Sequence, residues 1–315
     1  MSAEAEFIAS LRSLATDTAA RGLLDDAAVL EVGGKHLVLT HDMIVEGVHF
    51  LPGDSPGDVA WKLVAVNLSD LAAKGARPIG ALLGYSLAGE PEWDAAFVEG
   101  LRSALNGFGL TLLGGDTVSV PPGTPRSFGL TAIGEASVAV PGRSGAKQGD
   151  HIWVSGTIGD AGAGLAIARS QLEGSHSLLE RYRLPRPRLE AGQALAPLVS
   201  TMMDVSDGLL IDLARMAEAS GIAAVLELDN VPLSDAYMAV RGEDRDARMS
   251  AATEGDDYEL LFSADPGQAP AILAASEALG LAFSRIGHAA EGRGLRLTDR
   301  EGEVPLPRRL GYEHL

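Results

Sequence analysis

The chain has 315 residues, about two domains' worth, and its 46% hydrophobic and 22% charged residues describe a folded protein. A formal net charge of −18 argues against nucleic acid or an anionic membrane as a partner, because a polyanionic surface is repelled. With no cysteine, a disulfide framework and a thiolate metal site are excluded.

The N-terminal MSAEAEFIASLRSLA has no basic segment leading into an apolar run, and no stretch approaches the 18 or so apolar residues of a membrane span, so a cytoplasmic location is expected. GLLDDAAVL places Asp25 and Asp26 before an apolar run. KHLVLTHDMIVEGVHF (35–50) reads as a short strand broken by Asp42 and Gly47. Helical spacing follows over 59–78, with Gly75 and Pro78 as stop signals, then a strand over 79–88 and a helix over 92–108. LTLLGGDTVSV (110–120) is a strand running into a Gly-Gly-Asp turn, and 126–136 is another strand.

PGRSGAKQGD (141–150) concentrates Gly and Pro and marks a junction between domains 1–140 and 141–315. The pattern then restarts with a buried strand at 151–156, a Gly-rich turn into a helix, and a polar, Pro-rich connector over 174–190. In MMDVSDGLLIDL, Asp207 opens a helix that runs to about Ser220 and stops at Gly221. Strands at 223–228 and 258–263 and a helix at 268–279 complete the alternation, which predicts two α/β domains.

Carboxylates recur where these elements end: Asp26, Asp42, Asp70, Asp116, Asp204 and Asp207. Each has a bland explanation. Asp25 and Asp26 fit a turn, Asp70 can pair with Lys74 one helical turn on, and Asp207 can cap its helix. Their recurrence in both halves of a chain without cysteine is what a hard, oxygen-liganded cation such as Mg²⁺ requires, together with substrate phosphates. The familiar nucleotide loops are missing. VGGKHL lacks the spacing and the following Ser or Thr of a P-loop, and VSGTIGDAGAGLAI lacks dinucleotide-fingerprint spacing.

In order, DDAAVL, THDMIVEGVHF, VNLSDLAAKGARP, LLGGDT, VSGTIGDAGAGLAI, MMDVSDGLLIDL and GDDYELLF resemble the motifs of the thiamine-monophosphate kinase family, from about residue 22 to the C-terminal GYEHL. The resemblance implies the aminoimidazole ribonucleotide synthetase-like fold, α/β (α+β), with two domains, an N-terminal sheet used for dimerisation and a C-terminal α/β sandwich. It implies transfer of the γ-phosphoryl group of ATP to thiamine monophosphate by a homodimer using several Mg²⁺ ions. By motif it makes Asp26, Thr40, His41, Asp42, Asp70, Asp116, Asp204 and Asp207 metal-site residues. Gly115, Asp116, Arg143 and Ser206 would contact ATP, and His49, Asp256 and Tyr312 the thiamine phosphate. No residue is assigned as a general base. Asp212 is read as structural.

Three positions depart from the family pattern: Leu24 before Asp25-Asp26, His41 where a hydroxyl residue is common, and Asp256 in place of a longer Glu. Arg143 could equally be a linker arginine and His49 a buried structural imidazole. Two other readings stay open. One is another ATP-dependent synthetase of the same superfamily, of aminoimidazole ribonucleotide or selenophosphate type; the other is a non-catalytic divalent-cation-binding protein.

Overall fold

The computed structural model describes residues 3–136 and 140–313. Helix α1 (Ala3–Leu11) precedes β1 (Ala28–Val32) and β2 (Lys35–Val45), which are followed by α2 (Pro56–Ala73), β3 (Arg77–Leu87), α3 (Pro91–Phe108), β4 (Thr111–Ser119) and β5 (Ser127–Ala136). These strands form one sheet in the order β1-β2-β5-β3-β4, in which β3 and β4 run parallel and the other neighbouring pairs antiparallel.

The second half begins with β6 (His151–Ser155), α4 (Asp160–Ala168), α5 (His176–Arg183), α6 (Leu189–Leu195), β7 (Thr201–Asp204) and α7 (Leu209–Ser220). It continues through β8 (Ala223–Glu227), α8 (Asp235–Arg241), α9 (Arg245–Thr253), β9 (Leu260–Ala264) and α10 (Ala269–Leu279), and ends with β10 (Phe283–Ala290), β11 (Gly294–Asp299) and β12 (Gly302–Val304). Its sheet has the order β12-β11-β8-β10-β6-β9-β7, with β8 and β11 parallel and the other neighbouring pairs antiparallel. Mostly antiparallel sheets with helices make the architecture α+β.

Helix α2 is the spine of the molecule. Ser55 caps it by accepting from the Asp58 amide at 3.1 Å, and Pro56 supplies a first-turn residue that needs no N–H partner. Every residue from Lys62 to Ala73 is buried, so the helix has no solvent stripe. One side packs Leu63, Val64 and Leu68 into the core of the first sheet, and Ala72 and Ala73 join Leu195 and Met202 on the other. The α6 backbone approaches so closely that a Cβ on Gly192 would lie 1.9 Å from the Ala72 carbonyl oxygen. Buried polar groups on such a helix need partners. Those of Lys62, Asn67, Ser69 and Asp70 find them around the cleft described below.

The connector over 174–190 contains α5 and the start of α6. Leu178 and Tyr182, four residues apart, share a helical face and are buried, while Pro185 and Pro187 fall in the break before α6. Asp42 and Asp116 stand inside β2 and β4 rather than at strand ends.

Candidate active site

Three carboxylates from three elements meet beside α2. Asp26 before β1, Asp70 on α2 and Asp204 at the end of β7 each offer an oxygen, all within 4.8 Å of one another. The Thr40 hydroxyl hydrogen-bonds the Asp70 carboxylate and lies 3.3 Å from the Asp26 carbonyl. Asn67 accepts from the Asp42 amide at 2.9 Å, and Ser69 donates to Asp204 at 2.6 Å. Asp26, Asp42, Asp70, Asp204, Ser206 and Asp207 line one cleft of about 1170 Å³ with Arg143, His49, Asp256 and Tyr312.

Two cations hold the Asp26 corner. Lys74, fully buried, donates to Asp25 at 2.5 Å and to Asp26 at 2.7 Å, and Arg143 pairs with the other Asp26 oxygen. The anticipated Asp70–Lys74 pair is therefore not made: Lys74 reaches β1's leading loop, and Asp70 takes the Thr40 hydroxyl instead. Arg143 keeps a buried Nε–H without a partner among the described groups.

The electrostatics divide accordingly. Burial pushes the Asp26 carboxyl up, but Lys74 and Arg143 outweigh it and hold the group well below the usual carboxylate range. Burial, then the charges of Asp26 and Asp207, raise Asp42 to about 6. Burial and neighbouring carboxylates push Asp204 to about 8 against the Ser69 hydrogen bond, and Asp70 well above its ordinary value. This all-oxygen donor set, crowded and short of positive charge at Asp42, Asp70 and Asp204, fits Mg²⁺. Asp26, Asp70 and Asp204 would hold it, with Asp42 and Asp207 on the same cleft.

The loop over 206–208 is shaped by Asp212, whose buried Oδ2 accepts from the amides of Ser206, Asp207 and Gly208 at 3.1, 3.1 and 3.2 Å. Burial and the Asp207 charge raise Asp212 to about 7 despite Arg215 and Arg143. Arg215 bridges Asp207 at 2.5 Å and Asp212 at 2.9 Å. The same loop is gripped from the far side: the Asp256 amide donates to the Ser206 carbonyl at 2.7 Å and the Tyr312 amide to the Asp207 carbonyl at 2.9 Å.

At the Asp256 end, Lys62 donates to one carboxylate oxygen at 2.7 Å and the Tyr258 hydroxyl to the other at 3.0 Å. His49 Nδ1 accepts from the Val45 amide at 3.0 Å, so the neutral ring carries its proton on Nε2. Asp257 turns away from the cleft to accept from the amides of Gly159 and Ala161. Burial pushes its carboxyl up strongly against those bonds.

Three residues expected at the site lie elsewhere in this chain. Successive strand residues point to opposite faces. With Thr40 and Asp42 turned to the cleft, His41 is exposed on the other face, its Nδ1 2.9 Å from the Thr131 hydroxyl. Gly115 and Asp116 are exposed on β4. The register Asp42↔Leu130, Leu130↔Leu83, Leu83↔Gly115 puts Gly115 three strands from Asp42, roughly 14 Å at the usual interstrand spacing. Gly115 has a packing reason as well, since a Cβ there would fall 1.9 Å from the Leu83 carbonyl oxygen.

Lys62, Asn67, Ser69, Lys74 and Asp212 are the site residues missed by sequence reading. Asn67, Asp70 and the C-cap Lys74 are spaced three and four apart along a largely apolar helix that also carries Lys62 and Ser69, and these polar interruptions are the signal that would have found the four α2 residues.

Residues 24–136 match the family model of the AIR synthase related protein N-terminal domain, and residues 147–300 that of its C-terminal domain. Fold and cleft together define a two-domain protein of the AIR synthase-related class. The chain is 40% identical over 307 residues to the thiamine-monophosphate kinase of Caulobacter vibrioides, covering 95% of this chain and 86% of that one. It is 39% identical over 301 residues to that of Salmonella typhimurium, covering 93% and 91%. It therefore belongs to the thiamine-monophosphate kinase family. Among solved structures, the thiamine-monophosphate kinase of Stenotrophomonas maltophilia is 38% identical with a TM-score of 0.78, covering 92% of this chain and 94% of that one. AaThiL complexed with AMPPCP and TMP is 28% identical with a TM-score of 0.83, covering 98% and 96%. The hydrogenase maturation protein HypE of E. coli shares the fold, at 23% identity and a TM-score of 0.72 over 92% and 91% of the two chains.

Proposed function

We propose that this chain transfers the γ-phosphoryl group of ATP to the phosphate of thiamine monophosphate, giving thiamine diphosphate and ADP. The observation that carries the reading is the meeting of Asp26, Asp70 and Asp204 within 4.8 Å, in a cleft that also holds Arg143 at one end and Asp256 at the other. Its support from relatives is the kinship with kinases of that name and the likeness to AaThiL complexed with AMPPCP and TMP.

The acceptor is a phosphate monoester whose second ionisation lies near pH 6, so at neutral pH it is already a nucleophilic dianion and needs no general base. What remains is alignment of two polyanions and neutralisation of their charge. Mg²⁺ would supply that neutralisation when bound. Asp26, Asp42, Asp70, Asp204 and Asp207 would hold it, with the Thr40 hydroxyl orienting Asp70. Arg143 and Ser206 face the nucleotide, and the free guanidinium N–H of Arg143 is available to a phosphate oxygen. His49, Asp256 and Tyr312 receive the thiamine end. Residues 1–140 thus contribute the metal and acceptor groups, and 141–315 complete the ATP and acceptor site.

We read the working unit as a cytoplasmic homodimer joined through the first sheet. Leu30, Val32, Met43, Leu82, Leu113 and Val118 are exposed on its strands, and exposed apolar side chains gathered on one sheet favour an interaction surface there. Asp116 is too far from Asp42 to share an ion with it in one chain, so Gly115, Asp116 and His41 would act across the dimer. Among the described residues no helix is long and apolar enough to cross a membrane.

The test is ADP release measured with thiamine monophosphate, thiamine and an aminoimidazole precursor side by side, with and without Mg²⁺. Mg²⁺-dependent turnover with thiamine monophosphate alone is expected. Silence with every acceptor would refute the kinase reading, and turnover with another acceptor alone would replace it.

A further inference from the structure

One buried cation has no part in the chemistry above. Lys62, on the second turn of α2, has a side chain only 3% exposed, whereas that of its partner Asp256 is 27% exposed. Its Nζ donates to Asp256 Oδ2 at 2.7 Å and to the His49 carbonyl at 2.9 Å, and lies 4.3 Å from the centroid of the Tyr182 ring. An ammonium is taken out of water only where partners of this kind compensate its lost hydration. Both hydrogen-bond partners belong to the acceptor end of the cleft, and they come from opposite halves of the chain.

The geometry places the carboxylate, not the ammonium, in the cleft. Asp256 has φ +69°, a left-handed conformation unusual for a residue with a side chain, and so is held by its surroundings. Lys62 fixes one oxygen and the Tyr258 hydroxyl the other. On its far side Lys62 rests on Tyr182, whose hydroxyl donates to Asp54 at 2.8 Å, and Asp54 accepts from the Leu51 amide at 2.8 Å. The loop carrying His49 is therefore tied at the His49 carbonyl by Lys62 and again at Leu51 through Asp54.

We propose that Lys62 is a positioning residue for the acceptor: without touching it, Lys62 sets the direction of the Asp256 carboxylate and the seat of the His49 loop. A carboxylate already paired with an ammonium acts as a directional hydrogen-bond acceptor rather than as a free charge. The nucleotide–metal end, built on Asp26, Asp70 and Asp204, does not depend on Lys62. The inference rests on the kinase reading and sharpens it by dividing the cleft into two separately supported ends.

The test is steady-state ADP release by wild type, Lys62→Met, Asp256→Asn and the double variant, varying thiamine monophosphate and ATP in turn. Lys62→Met should raise the acceptor KM at least about tenfold and leave the ATP KM within about twofold; in the Asp256→Asn background it should add clearly less than it does in wild type, the remainder reporting its hold on the His49 loop. Lys62→Gln, which keeps a hydrogen-bond donor but no charge, should show the same split and guards against a folding defect in the Met variant. An unchanged acceptor KM, KM values that rise together, independent effects in the double variant, or failure of both single variants to fold would overturn the assignment. An inactive wild type would instead remove the kinase reading itself.

Discussion

Ser69 on α2 donates its hydroxyl to Asp204 on β7 at 2.6 Å, and this buried bond joins the two halves of the chain at the carboxylate cluster. It lowers the proton affinity of a carboxylate that burial and its neighbours otherwise raise. Ser69→Ala should cost about 1.5–3 kcal/mol in urea denaturation, the usual loss for a buried bond to a charged group. It should also move the Mg²⁺ midpoint of thermal stabilisation to higher concentration. A variant with the wild-type midpoint would show that Ser69 serves folding alone.

Asp70 is the clearest case of stability given up for function. Burial and three carboxylate neighbours all disfavour its charge, with only Thr40 opposing them. Asp70→Asn removes a buried repulsive charge while keeping an oxygen for Thr40. The metal-free protein should melt at the wild-type temperature or above it, while turnover falls by about 100-fold or more, because metal-borne charge neutralisation dominates phosphoryl transfer. Calorimetry beside the ADP assay checks both halves.

The pH dependence follows from Asp42 at about 6 and Asp204 at about 8. Both lie above the unfolded value near 3.8, so between about pH 4 and 8 the folded chain binds more protons than the unfolded one, and metal-free stability falls as pH rises. Mg²⁺ competes with those protons and relieves the repulsion. Its stabilising effect should therefore be larger at pH 8 than at pH 6, measured by thermal denaturation with Mg²⁺ and with chelator. A Mg²⁺ shift independent of pH would contradict titration at the cluster.

Asp212 supports the loop that presents Ser206 and Asp207. Asp212→Ala would leave three backbone N–H groups without their acceptor, at about 2–4 kcal/mol. Asp212→Asn keeps an oxygen for the loop and loses the Arg215 pair, so it should unfold at lower denaturant than wild type but higher than the Ala variant. Asp207→Asn should keep the fold and lose most turnover; full activity there would reduce Asp207 to a helix-start residue.

The exposed apolar strands predict self-association. Leu113→Asp on β4 should shift sedimentation from dimer toward monomer while each chain stays folded. A wild type that sediments as a monomer would refute the dimer directly.

The sequence by itself determined the motif order and most of the element order, because strand alternation, helical spacing and Gly or Pro stops are local properties of the chain. It also marked which carboxylates were unusual, and the resemblance attached to them a family that the comparisons bear out. Side-chain direction and distance were decided by the fold alone. On β2, one residue's shift along the strand turns His41 away from the face that Thr40 and Asp42 share. Asp116 lies three strands off, a separation that only sheet order defines. Lys74 looked like the partner of Asp70, yet the fold brings Asp25 and Asp26, about fifty residues earlier, onto its ammonium. Asp212 reads as structural from the sequence, and the tertiary structure adds what it supports: its oxygen organises the loop carrying Ser206 and Asp207. Those pairings require α2 to be buried between the two halves, because each buried polar group must find a partner and only the three-dimensional packing supplies the candidates.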